Sequence, residues 1–386
     1  MKIRTIIVIL MLCTLVSAVF ANRTNPRYIE DNKQSSSVKN LSLINESRHS
    51  MKLAFKYFAK SQQEDGSWKN DSAVTALVLY SYMLAPEYNP DAETAEAIKK
   101  GYAYLEKFVK PNGGIYESEL KYRNYATAVS LLAFTAANKL EYKSIIENAK
   151  NYLIKFQLDE NEDIAPENAY YGGIGYGGDT RPDLSNLHLA LEGIKAAEDL
   201  EAKATPDKTQ EQMGEHWRKA LVFLARTQNL KSVNDMDYAT NDGGFIYETG
   251  HYKPERSVSY GSMTFAGLKS LLYAGVDKND IRVKSAYAWV CENYTVEENP
   301  EFGTTSLYYY FMTATKCLTA FGGDVVIDGK GKKHYWREDF IEKIVSLQNE
   351  DGYWVNPNGR YQENIKDLAT AYSVIAIKYS LNQQAD

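Results

Sequence analysis

Two segments near opposite ends of the chain carry one pattern: Gln62-Gln63-Glu64-Asp65-Gly66-Ser67-Trp68 and Gln348-Asn349-Glu350-Asp351-Gly352-Tyr353-Trp354 both read Gln-x-x-Asp-Gly-x-Trp. Each lies between an amphipathic helical pattern and a second, more apolar one. The repeating unit is therefore helix, turn, helix, and a repeat of that kind constrains the whole fold.

Weaker copies fall into register behind these two. A large apolar residue precedes the Gln by one helical turn in Phe58/Gln62 and Ile344/Gln348, and again in Leu153/Gln157 and Leu224/Gln228; in Leu105/Val109 the Gln is replaced. Glycine turns carrying an aromatic follow, at Gly113-Gly114-Ile115-Tyr116, Gly172-Gly173-Ile174-Gly175-Tyr176 and Gly243-Gly244-Phe245-Ile246-Tyr247. A degenerate copy runs Val290/Tyr294 and then Asn299-Pro300-Glu301-Phe302-Gly303. The periodicity predicts paired helices over 48–62 and 71–85, 92–109 and 123–139, 142–157 and 183–199, 212–228 and 259–274, 279–294 and 304–321, and 335–348 and 366–381.

The two members of each pair differ in composition. First members keep a charged face, as in Lys52, Lys56 and Lys60, whereas second members such as Ala73-Val74-Thr75-Ala76-Leu77-Val78-Leu79 are apolar nearly all round. A helix apolar on every side is buried. The expected fold is all-α, an (α/α)6 toroid of six helical hairpins with an inner ring of six helices inside an outer ring of six. An open solenoid is the alternative, but it would carry polar capping repeats at its ends, and here the terminal repeats match the motif best. Inner-helix starts align as Ser72-x-x-Thr75, Asn124-x-x-Thr127, Asp183-x-x-Asn186, Tyr260-x-x-Met263, Thr304-x-x-Leu307 and Asp367-x-x-Thr370, and several of these residue types read as N-caps.

The first residues place Lys2 and Arg4 before an apolar run from Ile6 to about Val16 and then small residues, the grammar of a secretory signal. The domain reading is a signal peptide over 1–21, cleaved after Ala18 or Ala21, a flexible lead-in over 22–46 and a single toroid domain over 47–386. The run is shorter than the roughly 20 residues of a membrane span. The expected location is secreted or periplasmic, with no integral span after cleavage. The chain's formal net charge is −6, and cleavage removes two cations with no acidic residue. An acidic chain without a basic cluster has no electrostatic footprint for nucleic acid. Cys291 and Cys317, on neighbouring predicted helices, read as two buried thiols, with one disulfide as the alternative.

The residues from about 48 to 381 resemble proteins built from squalene-cyclase and prenyltransferase repeats, whose hallmark is this Gln-to-Trp motif. A bacterial subgroup of secreted repeat proteins is similar in three further places: Tyr170 to Tyr176 with Arg181-Pro182-Asp183-Leu184-Ser185-Asn186, Ser259-Tyr260-Gly261-Ser262-Met263-Thr264 with Gly267-Leu268-Lys269, and Asn293-Tyr294-Thr295 with Leu307-Tyr308-Tyr309-Tyr310. The resemblance implies an α/α toroid with an apolar central chamber. It does not extend to the family's catalytic equipment. The chain has no Asp-x-Asp-Asp and no Asp-Asp-x-x-Asp, the nearest run, Asp235-Met236-Asp237-Tyr238, lies in a linker, and no Asp, Cys and His stand at zinc-ligand spacing. The reading therefore includes no metal and no cofactor.

Functional residues are expected at the mouth formed by the inner-helix N-termini and the glycine turns of the third and fourth repeats. Candidate acid/base groups are Asp183, His188 and Asp179; candidate ligand-binding residues are Tyr176, Arg181, Asn186, Tyr247, Tyr260 and Tyr309. Ordinary roles stand beside these: a His bonded to a helix cap, and tyrosines in core packing. Of Tyr308, Tyr309 and Tyr310, helical geometry turns no more than one or two toward the axis. Helix N-termini at the mouth would add a positive potential suited to an anionic group. The leading functional expectation is a protein that binds, or also transforms, an apolar isoprenoid-type ligand in the chamber. The alternatives are a carbohydrate-active or glycan-binding toroid, with Tyr-rich loops and carboxylates such as Asp242, and a non-catalytic protein-binding module.

Overall fold

A computed structural model describes residues 38, 40–85, 92–119, 122–177, 181–204, 213–250 and 257–381. Its α-helices pair as the sequence periodicity predicts: α1 (Leu41–Ser61) with α2 (Ser72–Leu84), α3 (Ala92–Glu106) with α4 (Arg123–Ala137), α5 (Lys143–Lys155) with α6 (Leu184–Ala204), α7 (Glu215–Thr227) with α8 (Gly261–Tyr273), α9 (Ile281–Glu292) with α10 (Leu307–Phe321), and α11 (Trp336–Ser346) with α12 (Lys366–Leu381). Each even-numbered helix packs on the next, and α12 packs on α2. That contact closes the ring and excludes the solenoid.

Burial follows composition. In α2 every residue from Ser72 to Tyr82 is buried, and in α8 every residue from Gly261 to Leu271. Outer helices bury a stripe instead, as Trp217, Ala220, Phe223 and Leu224 do in α7. Each buried Leu, Val or Phe of this kind contributes roughly 1.5–3 kcal/mol.

The repeat motif is the seam between neighbouring hairpins. Gln62 donates from Nε2 to the carbonyl of Gly66 in its own turn (2.9 Å) and to that of Ala97 on the next outer helix (2.8 Å). Gln157 bridges Gly172 and His216 in the same way, Gln228 bridges Gly243 and Arg282, and Gln348 bridges Gly352 and Ser50. The last of these links repeat six to repeat one. Trp68 and Trp354 are fully buried, and their Nε1 atoms donate to the carbonyls of Phe58 and Ile344 on the preceding outer helix. Inside the ring, Thr75, Thr127, Thr264 and Thr370 accept from the backbone N–H of Trp68, Ile115, Phe245 and Trp354. The expected alignment put Met263 where Thr264 stands, one residue out of register.

Glycine is required at the centre of each turn. Gly352 has φ +92°, and a Cβ there would lie 2.5 Å from the Leu53 carbonyl of α1; Gly66 and Gly113 meet Lys100 and Asn148 in the same way. Gly331 has φ +83° with nothing within 4 Å. Gly331→Ala should therefore cost about 1–2 kcal/mol, from the left-handed backbone alone. Gly352→Ala should cost more, because the α1 carbonyl must also move. Chemical denaturation of the two variants checks this; equal losses would show that the close approach to α1 contributes nothing.

The structure departs from the sequence reading at three places. Helix α1 starts at Leu41 rather than 48, inside the expected lead-in: the Asn40 side chain accepts from Ser42 and Leu43 N–H, and Leu43 is buried. A short antiparallel hairpin, β1 (Val325–Ile327) and β2 (Lys333–Tyr335), stands between α10 and α11. Its turn is held by Asp328, which accepts from Lys330 and Lys332 N–H; the apolar run ending in Asp-Gly was the available signal. The caps also shift. Asp71 rather than Ser72 caps α2, and Asn124 and Asp367 sit inside their helices. Cys291 and Cys317 are both buried free thiols. The expected signal segment lies outside the described residues. Among the described residues no helix is long and apolar enough to cross a membrane, and no cluster of His, Cys, Asp or Glu could hold a metal ion.

Candidate binding site at the inner-helix N-termini

Helix N-termini leave N–H groups without intrahelical partners. Here the turn of the following repeat supplies acceptors to the preceding inner helix. Glu117 accepts from Ser72 N–H, the Tyr176 carbonyl from Asn124, the Tyr247 carbonyl from Leu184, Asn299 from Ser262 and Glu363 from Tyr309. Asp71 and Asp183 cap their own helices through Val74 and Asn186 N–H. The positive potential expected at the mouth is thus met by Asp71, Glu117, Asp183 and Glu363. An uncapped helix end carries about half a positive charge, and an ionised carboxylate a full negative one.

A cavity of about 250 Å³ opens among these helix starts. One wall is a run of aromatic rings: Tyr260 stacks on Phe302 with centroids 4.5 Å apart, and Phe302 meets Tyr361 at 6.0 Å. Opposite elements contribute Tyr122, edge-on to Tyr176 at 5.2 Å, and Tyr247. Tyr125, Tyr309 and Tyr372 complete the lining; the hydroxyls of Tyr125 and Tyr372 lie 3.0 Å apart, and Tyr309 is edge-on to Tyr372. Tyr122, Ser306 and Gln362 all line this cavity, and all have positive φ, at 54°, 54° and 63°. Such conformations cost of order 1–3 kcal/mol each and concentrate at functional sites.

The expected residues divide into three groups. Tyr176, Tyr247, Tyr260 and Tyr309 line the cavity. Tyr308 and Tyr310, flanking Tyr309, point into packing, where their hydroxyls donate to the Val355 and Thr295 carbonyls. Asp183, Asn186 and His188 lie behind the lining, and Arg181 is not part of it. Asp179 lies outside the described residues.

The carboxylate of Asp183 is committed to structure. It accepts from Asn186 N–H, the Asn186 amide and the Ser185 hydroxyl at 2.6–2.9 Å. Burial pushes its carboxyl up to about 6, against those hydrogen bonds, which favour the ionised form. His188 is buried, and Nδ1 meets the Ser185 carbonyl at 3.1 Å and the Tyr309 hydroxyl at 3.2 Å. A carbonyl only accepts, so Nδ1 is assigned the proton. Burial, then the Lys269 charge, keeps the imidazole neutral, well below its ordinary value. Among the described residues its Nε2 has no hydrogen-bond partner.

One turn further along α6 from His188, Glu192 accepts an ion pair at each carboxylate oxygen, from Lys269 of α8 and from Lys316 of α10. All three side chains are buried. Burial would raise the Glu192 carboxyl, but the two ammonium groups hold it well below the usual carboxylate range. Lys316 is pushed down to about 8 by burial, with Glu192 opposing. Its ammonium lies over the rings of Tyr80 and Tyr379 at 4.7 and 5.3 Å, and Lys269 lies over Tyr273 at 5.6 Å.

Sequence reasoning missed this cluster, although each member is a lone charge inside an otherwise apolar inner-helix pattern. It also missed Tyr125, Tyr372, Phe302, Tyr361 and the lining carboxylates Asp71 and Glu363. One signal was available: Tyr125 and Tyr309 are both third residues of their inner helices.

No family model and no curated protein sequence matches this chain. Solved structures do resemble it. A variant of the type II terpene cyclase MstE from Scytonema, in complex with geranylgeranyl dihydroxybenzoate, is 14% identical with a TM-score of 0.55, covering 89% of this chain and 99% of the cyclase. The GH76A α-1,6-mannanase from Salegentibacter sp. HEL1_6 is 12% identical with a TM-score of 0.54, covering 87% and 98%. An inactive variant of that mannanase in complex with α-1,6-mannotriose gives 11% and 0.53. The protein is an α/α toroid, a fold it shares with that terpene cyclase and that mannanase.

Proposed function

We propose that this protein is an exported toroid that binds a compact, largely apolar ligand of isoprenoid type in the tyrosine-lined cavity. The observation that carries the reading is the fate of the tyrosine hydroxyls. Those of Tyr125 and Tyr372 face each other, and that of Tyr309 faces His188. With those hydroxyls engaged, the rings of Tyr125, Tyr309 and Tyr372 present apolar surface to the cavity, beside the carboxylates of Asp71 and Glu363, and ring surface favours apolar contact. A volume of about 250 Å³ lies just below the usual range of ligand cavities, which points to a short chain or a single ring system.

Two features favour a glycan as the second reading. Tyr122 and Tyr361 are 48% and 43% exposed at the rim, where they could stack on a sugar. Glycoside cleavage, however, uses a pair of carboxylates flanking the bond, and Asp71, Asp183 and Glu363 each carry a helix N–H.

Titration of the mature protein with farnesol and with mannotriose, followed by calorimetry, separates the two. Farnesol is expected to bind, and Tyr309→Ala to weaken it by about tenfold, or 1.4 kcal/mol, while Lys52→Ala on the outer ring changes nothing. Binding of mannotriose without farnesol would replace this reading with the glycan one.

A further inference from the structure

The lining of the cavity has an electrostatic sign as well as a shape. Two carboxylates, Asp71 and Glu363, contribute to its surface, and a third, Asp183, is buried behind it; burial and then the Asp183 charge raise the Tyr176 and Tyr247 hydroxyls. The helix-end N–H groups that would favour an anion are already occupied, several of them by these same carboxylates. Nine aromatic rings also line it, and ring faces carry negative electrostatic potential. Among the described residues, the one cation in the lining is Arg360, exposed at the rim with its guanidinium 5.4 Å from the Tyr361 ring centre. The buried ammonium groups of Lys269 and Lys316 lie beyond His188, paired with Glu192 and faced by Tyr80, Tyr273 and Tyr379.

We infer that the cavity selects a ligand whose apolar body carries a fixed positive charge, of the quaternary ammonium or protonated tertiary amine class. A desolvated cation against several ring faces is attracted by each of them, and aromatic cages recognise such groups for that reason. The carboxylates at and behind the rings supply the balancing charge without a direct ion pair. This inference rests on the tyrosine-lined cavity being the binding site, and it adds the charge of the ligand.

The test compares choline with dimethylbutanol, its neutral carbon isostere, on the full mature chain by calorimetry, with farnesol as competitor. Choline is expected to bind at least tenfold more tightly than the isostere and to displace farnesol. Tyr309→Phe should keep that preference, since the ring face remains. Tyr361→Leu, at an exposed position where folding is not at stake, should reduce choline binding more than isostere binding. Equal or tighter binding of the neutral isostere overturns the charge preference and leaves the apolar reading standing. Failure of farnesol, choline and isostere alike to bind overturns both.

Discussion

Replacing Glu192 with alanine is expected to lower stability by about 3–5 kcal/mol, the range for breaking a buried ion pair by removing one partner. The loss arises because two ammonium groups, Lys269 and Lys316, would remain in the core with no carboxylate between them. The opposite deletion should behave differently. Lys316→Met leaves Glu192 and Lys269 as a balanced pair, and a Met can fill the space between the Tyr80 and Tyr379 rings. Near neutral pH this variant should be close to the parent in stability, or above it.

The same group gives a pH signature. Lys316 is held near 8 in the fold against an ordinary value of 10.5. Between those values the unfolded chain binds a proton that the folded chain does not, so stability rises with pH across that window, and the contribution is lost as pH falls through about 8. Tyr80, Tyr309 and Tyr372 have the reverse effect above 10, since burial holds their hydroxyls protonated well past the ordinary tyrosine value. Cys291 and Cys317 act in the same downward sense from about pH 9, since burial holds both thiols protonated above the ordinary thiol value. Stability should therefore rise through about pH 8 toward 9 and decline beyond it. Lys316→Met should remove the rise and keep the decline. Urea midpoints across this range check both variants; a Glu192→Ala protein as stable as its parent would mean that the three charges are not paired in the core.

Trp68→Ala and Trp354→Ala should each cost about 3–5 kcal/mol, the range for truncating a buried aromatic. Each indole fills the space between an outer helix and the inner helix it turns into, packing near Phe58 and Tyr82 in the case of Trp68. Each also donates to a carbonyl at the end of its outer helix, at 2.9 and 2.7 Å. Phenylalanine at either site restores most of the buried surface but not that hydrogen bond, so it should recover more than half of the loss. Thermal melting of the alanine and phenylalanine pairs measures both contributions. Unchanged melting in both alanine variants would remove the motif from the account of stability.

The ring of hairpins was legible because two independent periodicities agree on it. The Gln-to-Trp spacing set the repeat, and the contrast between Lys52-Lys56-Lys60 on α1 and the unbroken apolar run of α2 assigned outer and inner helices. The mouth was legible for the same reason: a closed ring places all inner N-termini together, and Tyr176, Tyr247, Tyr260 and Tyr309 fell there. Less visible were residues whose role depends on a partner far away in the chain. Glu192 and Lys316 are 124 positions apart, and Tyr125 and Tyr372 are 247 apart. Local pattern reports helical face and period; it does not report which residues of six different helices meet on the axis. Asp183 shows the converse limit. Its residue type and placement favoured a cap while leaving an acid open, and the hydrogen bonds around it are those of a cap.

Gln348 and Gly352 seat the last turn of the chain on Ser50 and Leu53 of the first helix, across a separation of 298 residues. A linear array of repeats can consolidate from its first members onward, each new unit adding to a stable stack. A closed one has no free end to build from. The first outer helix is one half of a seam whose other half is made last, and contacts of such long range form late in folding. The ring therefore cannot shut until the sixth repeat has been made. That repeat is the latch, and the earlier five stay open until it closes. Linking the end of α12 to the start of α1, which pack on each other, and opening the loop between α6 and α7 would keep every seam while changing which one closes last.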